Sequence, residues 1–394
     1  MKTILYTYKF RLQPTDNQKD ILNKYFGSVR FVFNYFLNQR KDEYLNNKKS
    51  ITYNQQSSFL TQLKKDEKFD WLKEINSQTL QYSLNCLDIA YQSFFKKRSK
   101  FPKFKSRKSK NTFTVPQFVK VVDNHLVIPK FKDGIGIIKH RKIEGTIKKC
   151  SISRTPTGKY FVTILVEKVY NPVQKTNKSI GIDLGLKDFL VLSDGSKTKN
   201  HRYTKKYERK LKTNQQHLSR KVRGSNRYEK QRIKVCRIHE KISNSRSDLI
   251  HKTTSNLIKN FDVIYLEDLN IKGMIKNRKL SKSISDVSWG KFIETLEYKA
   301  KWNDKLVIKV DRFFPSSKTC NSCGYINQNL KLSDRTWVCK GCNGMIDRDL
   351  NASKNILNEG LRLNISDGTS DHDRGAEIRP DFLGTSFEAI KETS

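Results

Sequence analysis

Phe261-Asp-Val-Ile-Tyr-Leu-Glu-Asp268 is the most restrictive stretch of the sequence, because a nearly continuous apolar run predicts a central strand covered on both faces. Such a strand needs one layer above its sheet and one below, which points to a layered α/β unit. Leu306 to Val310 reads as one more strand of the same kind. Lys178 to Ser196 reads as a strand pair closed by an Asp194-Gly195 turn. Within it Ile180, Ile182, Leu184 and Leu186 share one face, and Gly181, Asp183 and Gly185 share the other. On this reading the glycines leave room for a bulky ligand to approach Asp183 closely. Taken alone, Asp183 reads equally well as a solvent-facing carboxylate on an edge strand.

The chain has 394 residues, enough for two or three domains. Its 78 Lys+Arg against 39 Asp+Glu give a formal charge of +39, which calls for a polyanionic partner, most often nucleic acid. No apolar run is long enough to span a bilayer, and Lys9 and Arg11 interrupt the one candidate for a secretory signal, so no membrane partner and a cytoplasmic location are expected.

Near the N-terminus, Tyr6 to Leu12 predicts a strand, and Thr15-Asp-Asn-Gln18 is a capping box opening a helix. Leu22, Tyr25, Val29, Val32 and Phe36 give that helix a buried stripe, and Leu80, Leu84, Leu87, Tyr91 and Phe94 mark a second. From Phe113 to about Glu167 short alternating segments and turn signals predict a small β-barrel that includes the first strand. The expected domains are a barrel at 1–12 and 113–175, an inserted helical bundle at 13–112, an α/β unit at 176–363 with a basic helical insertion at 203–256, and an acidic disordered tail at 364–394.

Two basic segments are candidate phosphate contacts. Phe94 to Lys110 carries nine basic residues and no acid, interleaved with Phe101 and Phe104, and Pro102 breaks the helix there. Its candidate nucleic-acid ligands are Lys96, Lys97, Arg98, Lys103, Lys105, Arg107 and Lys108. Residues 205–241 hold 14 Lys+Arg and three acids on a predicted helical surface.

Of seven cysteines, Cys320, Cys323, Cys339 and Cys342 form a CxxC pair, fifteen residues, and a second CxxC pair, which is zinc-ribbon spacing (315–346) in a reducing compartment. Four sulfur ligands close the coordination shell, so the zinc is structural. Asp347-Arg-Asp349-Leu-Asn follows as an acidic helix start; alone, Asp349 is no more than a residue favoured at that position. Set beside Asp183 and Glu267 it completes a three-carboxylate group. Hard oxygen ligands of this type suit Mg²⁺ or Mn²⁺, and two such ions serve phosphodiester hydrolysis.

Gly-Ile-Asp183-Leu-Gly, Tyr-Leu-Glu267-Asp-Leu, the four-cysteine ribbon and Asp-Arg-Asp349-Leu-Asn-Ala-Ser resemble, in order and spacing, the TnpB (OrfB) proteins of bacterial insertion sequences, which are similar to type V CRISPR effectors. Phe-Arg-Leu-Gln-Pro14 and Phe101-Pro-Lys-Phe-Lys-Ser106 extend the resemblance to the N-terminal half, leaving out only the tail. The resemblance implies an RNase H-like (RuvC) nuclease core with an inserted zinc ribbon. It further implies RNA-guided cleavage of double-stranded DNA carrying a short adjacent motif, a transposon-derived guide RNA, and a monomeric protein in the complex. On it Asp183, Glu267 and Asp349 hold the divalent ions, Asp349 being preferred to Asp347 for its Asp-x-Asn-Ala position, and Arg246 sits near the scissile phosphate. The intact triad argues against relatives that bind DNA without cutting and repress transcription. A non-cleaving regulator and a transposase acting directly on DNA are the competing readings.

Overall fold

A computed structural model describes residues 2–107, 110–331 and 333–366. It divides into two compact units, residues 1–170 and 171–394. Lys108 and all of the acidic tail beyond residue 366 lie outside the described residues. Among the described residues no helix is long and apolar enough to cross a membrane.

The first unit runs β1 (Lys2–Gln13), α1 (Asp16–Asn47), α2 (Tyr53–Leu63), a 3₁₀ segment (Glu67–Glu74), α3 (Ser77–Phe95), β2 (Asn111–Val115), β3 (Lys120–Val122), β4 (His125–Ile128), β5 (Phe131–Ile138), β6 (Thr146–Arg154) and β7 (Tyr160–Tyr170). The capping box forms as its sequence dictates. The Gln18 amide donates to Thr15 Oγ1 at 3.3 Å, and the Thr15 amide donates to Gln18 Oε1 at 3.1 Å.

The seven strands form an antiparallel sheet in the order β2-β6-β7-β1-β5-β4-β3. The barrel expected from the sequence is not closed by this ladder: β2 and β3 are its two edges among the described residues. The shared core explains the difference. Tyr8, Phe10, Leu12, Phe113 and Val162 of the sheet belong to one buried cluster with Leu22, Tyr25, Val32, Phe36, Leu80, Leu84 and Leu87 of the helices. The helices therefore fill the space that a closed barrel would fill with its own side chains. Tyr25 joins the parts: its ring lies 4.8 Å from that of Phe113, and its hydroxyl donates to the Pro129 carbonyl and accepts from the Asn76 amide, both at 3.3 Å.

The second unit runs β8 (Ser179–Asp183), β9 (Asp188–Leu192), β10 (Lys197–Lys199), α4 (Tyr203–Ser219), α5 (Asn226–Asn260), β11 (Val263–Glu267), α6 (Ile271–Met274), α7 (Ser281–Val287), α8 (Trp289–Trp302), β12 (Leu306–Val310), β13 (Thr336–Val338), β14 (Met345–Asp347) and α9 (Arg348–Ser366). Five strands pair in the order β10-β9-β8-β11-β12; β8, β11 and β12 are parallel, and β9 is antiparallel to both its neighbours.

Residue alternation assigns the two faces of this sheet. Ile180, Ile182, Ile264 and Leu266 pack with Leu257, Ile258, Phe292 and Leu296 of α5 and α8. Tyr265 and Val310 face the other way, onto Ile356 of α9. The central strand is thus covered on both sides, as its apolar run requires. Ahead of β8 the linker is pinned to its own unit, where Asp262 accepts from the Thr176 and Asn177 amides at 2.8 and 2.6 Å and pairs at 3.0 Å with Lys305, whose side chain is fully buried.

Candidate functional site

Asp183 is the last residue of β8 and Glu267 the last of β11. The parallel register sets Leu266 against Ile182, so the two acids occupy neighbouring positions at the carboxyl ends of adjacent strands. By alternation both lie on the face that α9 covers. That helix begins at Arg348, directly after β14, and brings Asp349 in its first turn. Three segments far apart in sequence thus deliver one carboxylate each to the same end of the sheet.

Electrostatics record the encounter. Burial, then the charges of Asp349 and Glu267, push the Asp183 carboxyl up to about 7, against a pull from Arg348 and a hydrogen bond from the Leu184 amide. Burial and neighbouring Asp268 likewise raise Glu267. Like charges gathered in a partly desolvated site are costly unless cations join them, and carboxylate oxygens are the ligands Mg²⁺ and Mn²⁺ prefer. Among the described residues the four cysteines are the group whose ligand atoms stand close enough to share one ion, whereas the three acids supply oxygen ligands of the chemical type that divalent ions take.

Asp347 and Asp349 are engaged differently. Asp347 caps α9, accepting from the Asp349 and Leu350 amides at 3.1 Å each, and its other oxygen takes Lys197 at 2.8 Å. Burial raises this carboxyl, but Lys197 and the cap bonds outweigh burial and hold it below its ordinary value. Asp349 instead faces Asp183, flanked by Arg335 at 3.4 Å and Arg348 at 3.5 Å.

Gly181 has a different use from the one its sequence setting indicated. A β-carbon there would stand 2.2 Å from the Ser353 carbonyl and 2.7 Å from the Leu357 amide, so its bare face receives α9 rather than a ligand. The same docking uses Gly360, where a β-carbon would meet the Tyr265 ring at 2.1 Å. Gly185 lies beyond β8 in the turn toward Asp188, as do Leu184 and Leu186, so the alternation ends at Asp183.

The four cysteines converge as their spacing predicts. Their sulfurs all lie within 4.8 Å of one another, with Cys320 to Cys342 at 3.8 Å and Cys323 to Cys339 at 3.5 Å. A tetrahedral zinc with Zn–S near 2.3 Å needs sulfurs about 3.8 Å apart, so the set fits that ion. What the sequence reading missed is how this ribbon is tied to the acids. Asn351 and Asn355, one turn apart on α9, both donate to the Thr319 carbonyl at 2.6 Å. Their side-chain oxygens accept from the Asn321 amide at 2.8 Å and the Asn321 side chain at 3.1 Å. Both asparagines are 5% exposed. The i, i+4 spacing of two amides directly after Asp349 was the available signal.

Two expected nucleic-acid ligands are engaged inside the protein. Arg246 grips the largely buried Asp286 at 2.6 and 3.1 Å and also donates to Thr204, so its guanidinium links α5 to α7 and the start of α4 rather than standing ready for a phosphate. Lys105 stacks on the Phe33 ring at 3.7 Å, and its backbone exchanges bonds of 2.7 and 2.8 Å with Asn34 of α1. Burial lowers the pKa of Lys105, which marks an ammonium taken out of water. Phe101 packs edge-on against Tyr91 and Phe94, and Pro102 is buried, so the segment is docked rather than a free loop. Lys96, Lys97, Arg98, Lys103 and Arg107 remain exposed.

Fold and site together define an α/β protein that sets a three-carboxylate cluster beside a four-cysteine centre. The chain belongs to the OrfB (TnpB) family: the OrfB_IS605 profile, described as "Probable transposase", matches residues 161–278, and a "Cas12f1-like, TNB domain" profile matches 289–356. A third profile, described as "Helix-turn-helix domain", matches residues 1–49, which fold here as β1 and the single 32-residue helix α1. A protein of Streptomyces pristinaespiralis named "Putative RNA-guided DNA endonuclease" is 36% identical over 92% of this chain and 90% of its own length. The Escherichia coli protein named "Putative RNA-guided DNA endonuclease InsQ" is 32% identical over 90% of this chain and 92% of its own length. A chain in a cryo-EM structure of a Cas12f1-sgRNA-target DNA complex is 15% identical, with a TM-score of 0.49 over 90% of this chain and 98% of that one.

Proposed function

We propose that this protein is an RNA-guided DNA endonuclease whose RNase H-like (RuvC-type) core cuts phosphodiester bonds. The observation that carries this reading is the convergence of Asp183 at the end of β8, Glu267 at the end of adjacent β11 and Asp349 in the first turn of α9. Divalent ions, Mg²⁺ or Mn²⁺, bound there would activate a water and stabilise the leaving oxygen. Asp183 and Glu267 would hold such ions from the ends of sheet strands and Asp349 from the helix start. Arg335 and Arg348, paired with Asp349 at 3.4 and 3.5 Å, offset part of the negative charge of the acids. The five-strand order, with β9 antiparallel to the other four strands, supports the RNase H-like assignment. The ribbon cysteines hold a structural zinc.

Guide RNA and double-stranded target DNA are the partners that suit the surface. Helix α4 has no buried residue, yet it carries Lys205, Lys206, Arg209, Lys210 and Lys212, a helix kept for an outside polyanion. An enzyme that delegates sequence choice to a guide needs little more than backbone contacts from its own side chains.

The test is to purify the protein from cells carrying its native flanking DNA, sequence the RNA that comes with it, and offer a matching plasmid in Mg²⁺. Guide-dependent cutting that disappears in Asp183→Ala is the expected result. Bound RNA without cutting would replace this reading with a non-cleaving regulator. Strand joining without a guide would replace it with a transposase.

A further inference from the structure

Between α4 and α7 lies a recess of about 340 Å³ whose lining includes Leu186, Asn200, Arg202, Lys205, Lys282 and Asp286. Leu186 lies in the turn that follows β8, so the recess is lined from the end of the strand at which Asp183 stands. Its floor is built in advance. The Asp286 carboxylate, 8% exposed, caps α4 by accepting from the Thr204 amide at 2.9 and 3.0 Å, and Arg246 neutralises it from behind. Asn200 holds the Leu186 carbonyl at 2.8 Å and accepts from the Arg202 amide at 3.1 Å.

Arg202 itself sits at φ 44, a left-handed conformation that a non-glycine residue adopts at a cost and that clusters at ligand clamps. Glu208 pairs with Lys282 at the rim. Arg202 reaches the Leu186 carbonyl at 3.5 Å and Lys205 acts on Glu208 together with Lys282, so against the two acids, with Arg246 on Asp286, the recess holds a surplus of positive charge. A volume at the small end of ligand pockets suits one nucleotide, not a duplex.

We infer that this recess seats a single nucleotide of the strand led to the acids, its phosphate on Arg202, Lys205 and Lys282 and its base against Leu186. The inference rests on the nuclease reading, and its test separates the two. The full chain carrying Asp183→Ala, which holds DNA without cutting it, is titrated with labelled single-stranded DNA. Arg202→Ala should weaken binding about tenfold, the scale of one lost charge-assisted phosphate contact. Glu208→Gln, which releases Lys282, should strengthen it severalfold, and effects of opposite sign are not what a damaged fold produces.

One abasic position in the DNA should weaken binding to the intact recess and add nothing to Arg202→Ala, because both remove the same seated nucleotide. A 5-iododeoxyuridine at that position should crosslink to the peptide spanning residues 186–208. The inference is overturned if Arg202→Ala behaves like Lys49→Ala, a change at an exposed lysine just beyond α1, and abasic positions have no effect. Failure of the unsubstituted protein to cut any guided DNA, with the recess still behaving as stated, would instead overturn the nuclease reading.

Discussion

The four cysteines and the three acids of this protein are brought together in opposite ways. The four cysteines lie between Cys320 and Cys342, and two tight turns and one hairpin bring their sulfurs together. The three acids extend from Asp183 to Asp349 and meet only because a sheet register, a face assignment and a helix start agree. A closed sulfur site therefore forms locally, whereas the acid site depends on everything that holds α9 on the sheet. Asn351 and Asn355 join the two, so that the local site braces the distributed one.

The largest way to break the comparison is at the acids. Asp183→Ala should lower guided DNA cleavage by about 10³-fold or more, the scale of several kcal/mol of lost metal-assisted stabilisation, with the RNA Kd within about twofold. Equal loss of binding and cutting would mean that Asp183 holds the fold rather than the reaction.

Next comes the ribbon. Cys339→Ser should release zinc, measured by atomic emission, and reduce cleavage by about 10²-fold while RNA still binds, because the partners of Asn351 and Asn355 lose their shape. Undiminished cutting without zinc would show that the two clusters are independent.

Asn355→Ala sharpens the same link without touching a cysteine. Zinc content should stay unchanged, and cleavage should drop about tenfold with a weaker Mn²⁺ dependence, the usual range for a group that orients a metal ligand. Restoring the Mn²⁺ response with Gln at this position would separate orientation from simple packing.

The smallest effect is on stability, and its sign follows from the raised Asp183. Its folded value of about 7 lies above the ordinary 3.8, so the stability it permits is complete below about pH 4 and is lost as pH rises through 7. Asp183→Asn escapes that loss. Without divalent ions it should be more stable than the parent by up to about 4 kcal/mol at pH 8 in urea unfolding and equal to it near pH 4. A parent equally stable at both pH values relative to the variant would remove the claim that the acids repel one another.

Much was legible because it is local. The capping box at Thr15, the strand ending at Glu267, the double-covered run from Val263 and the four-cysteine spacing depend on neighbours a few residues away, and sequence records those directly. Only the tertiary structure decided how distant groups are spent. Lys105 and Arg246 carry the same charge in the sequence as any exposed cation, yet one is stacked on Phe33 and the other paired with Asp286. Gly181 looks like room for a ligand until α9 fills it, and a barrel-like run of strands stays open because helices share its core. Spacing along a chain fixes which groups can act together nearby; which charge, glycine or edge is left for a partner depends on contacts that no local pattern encodes.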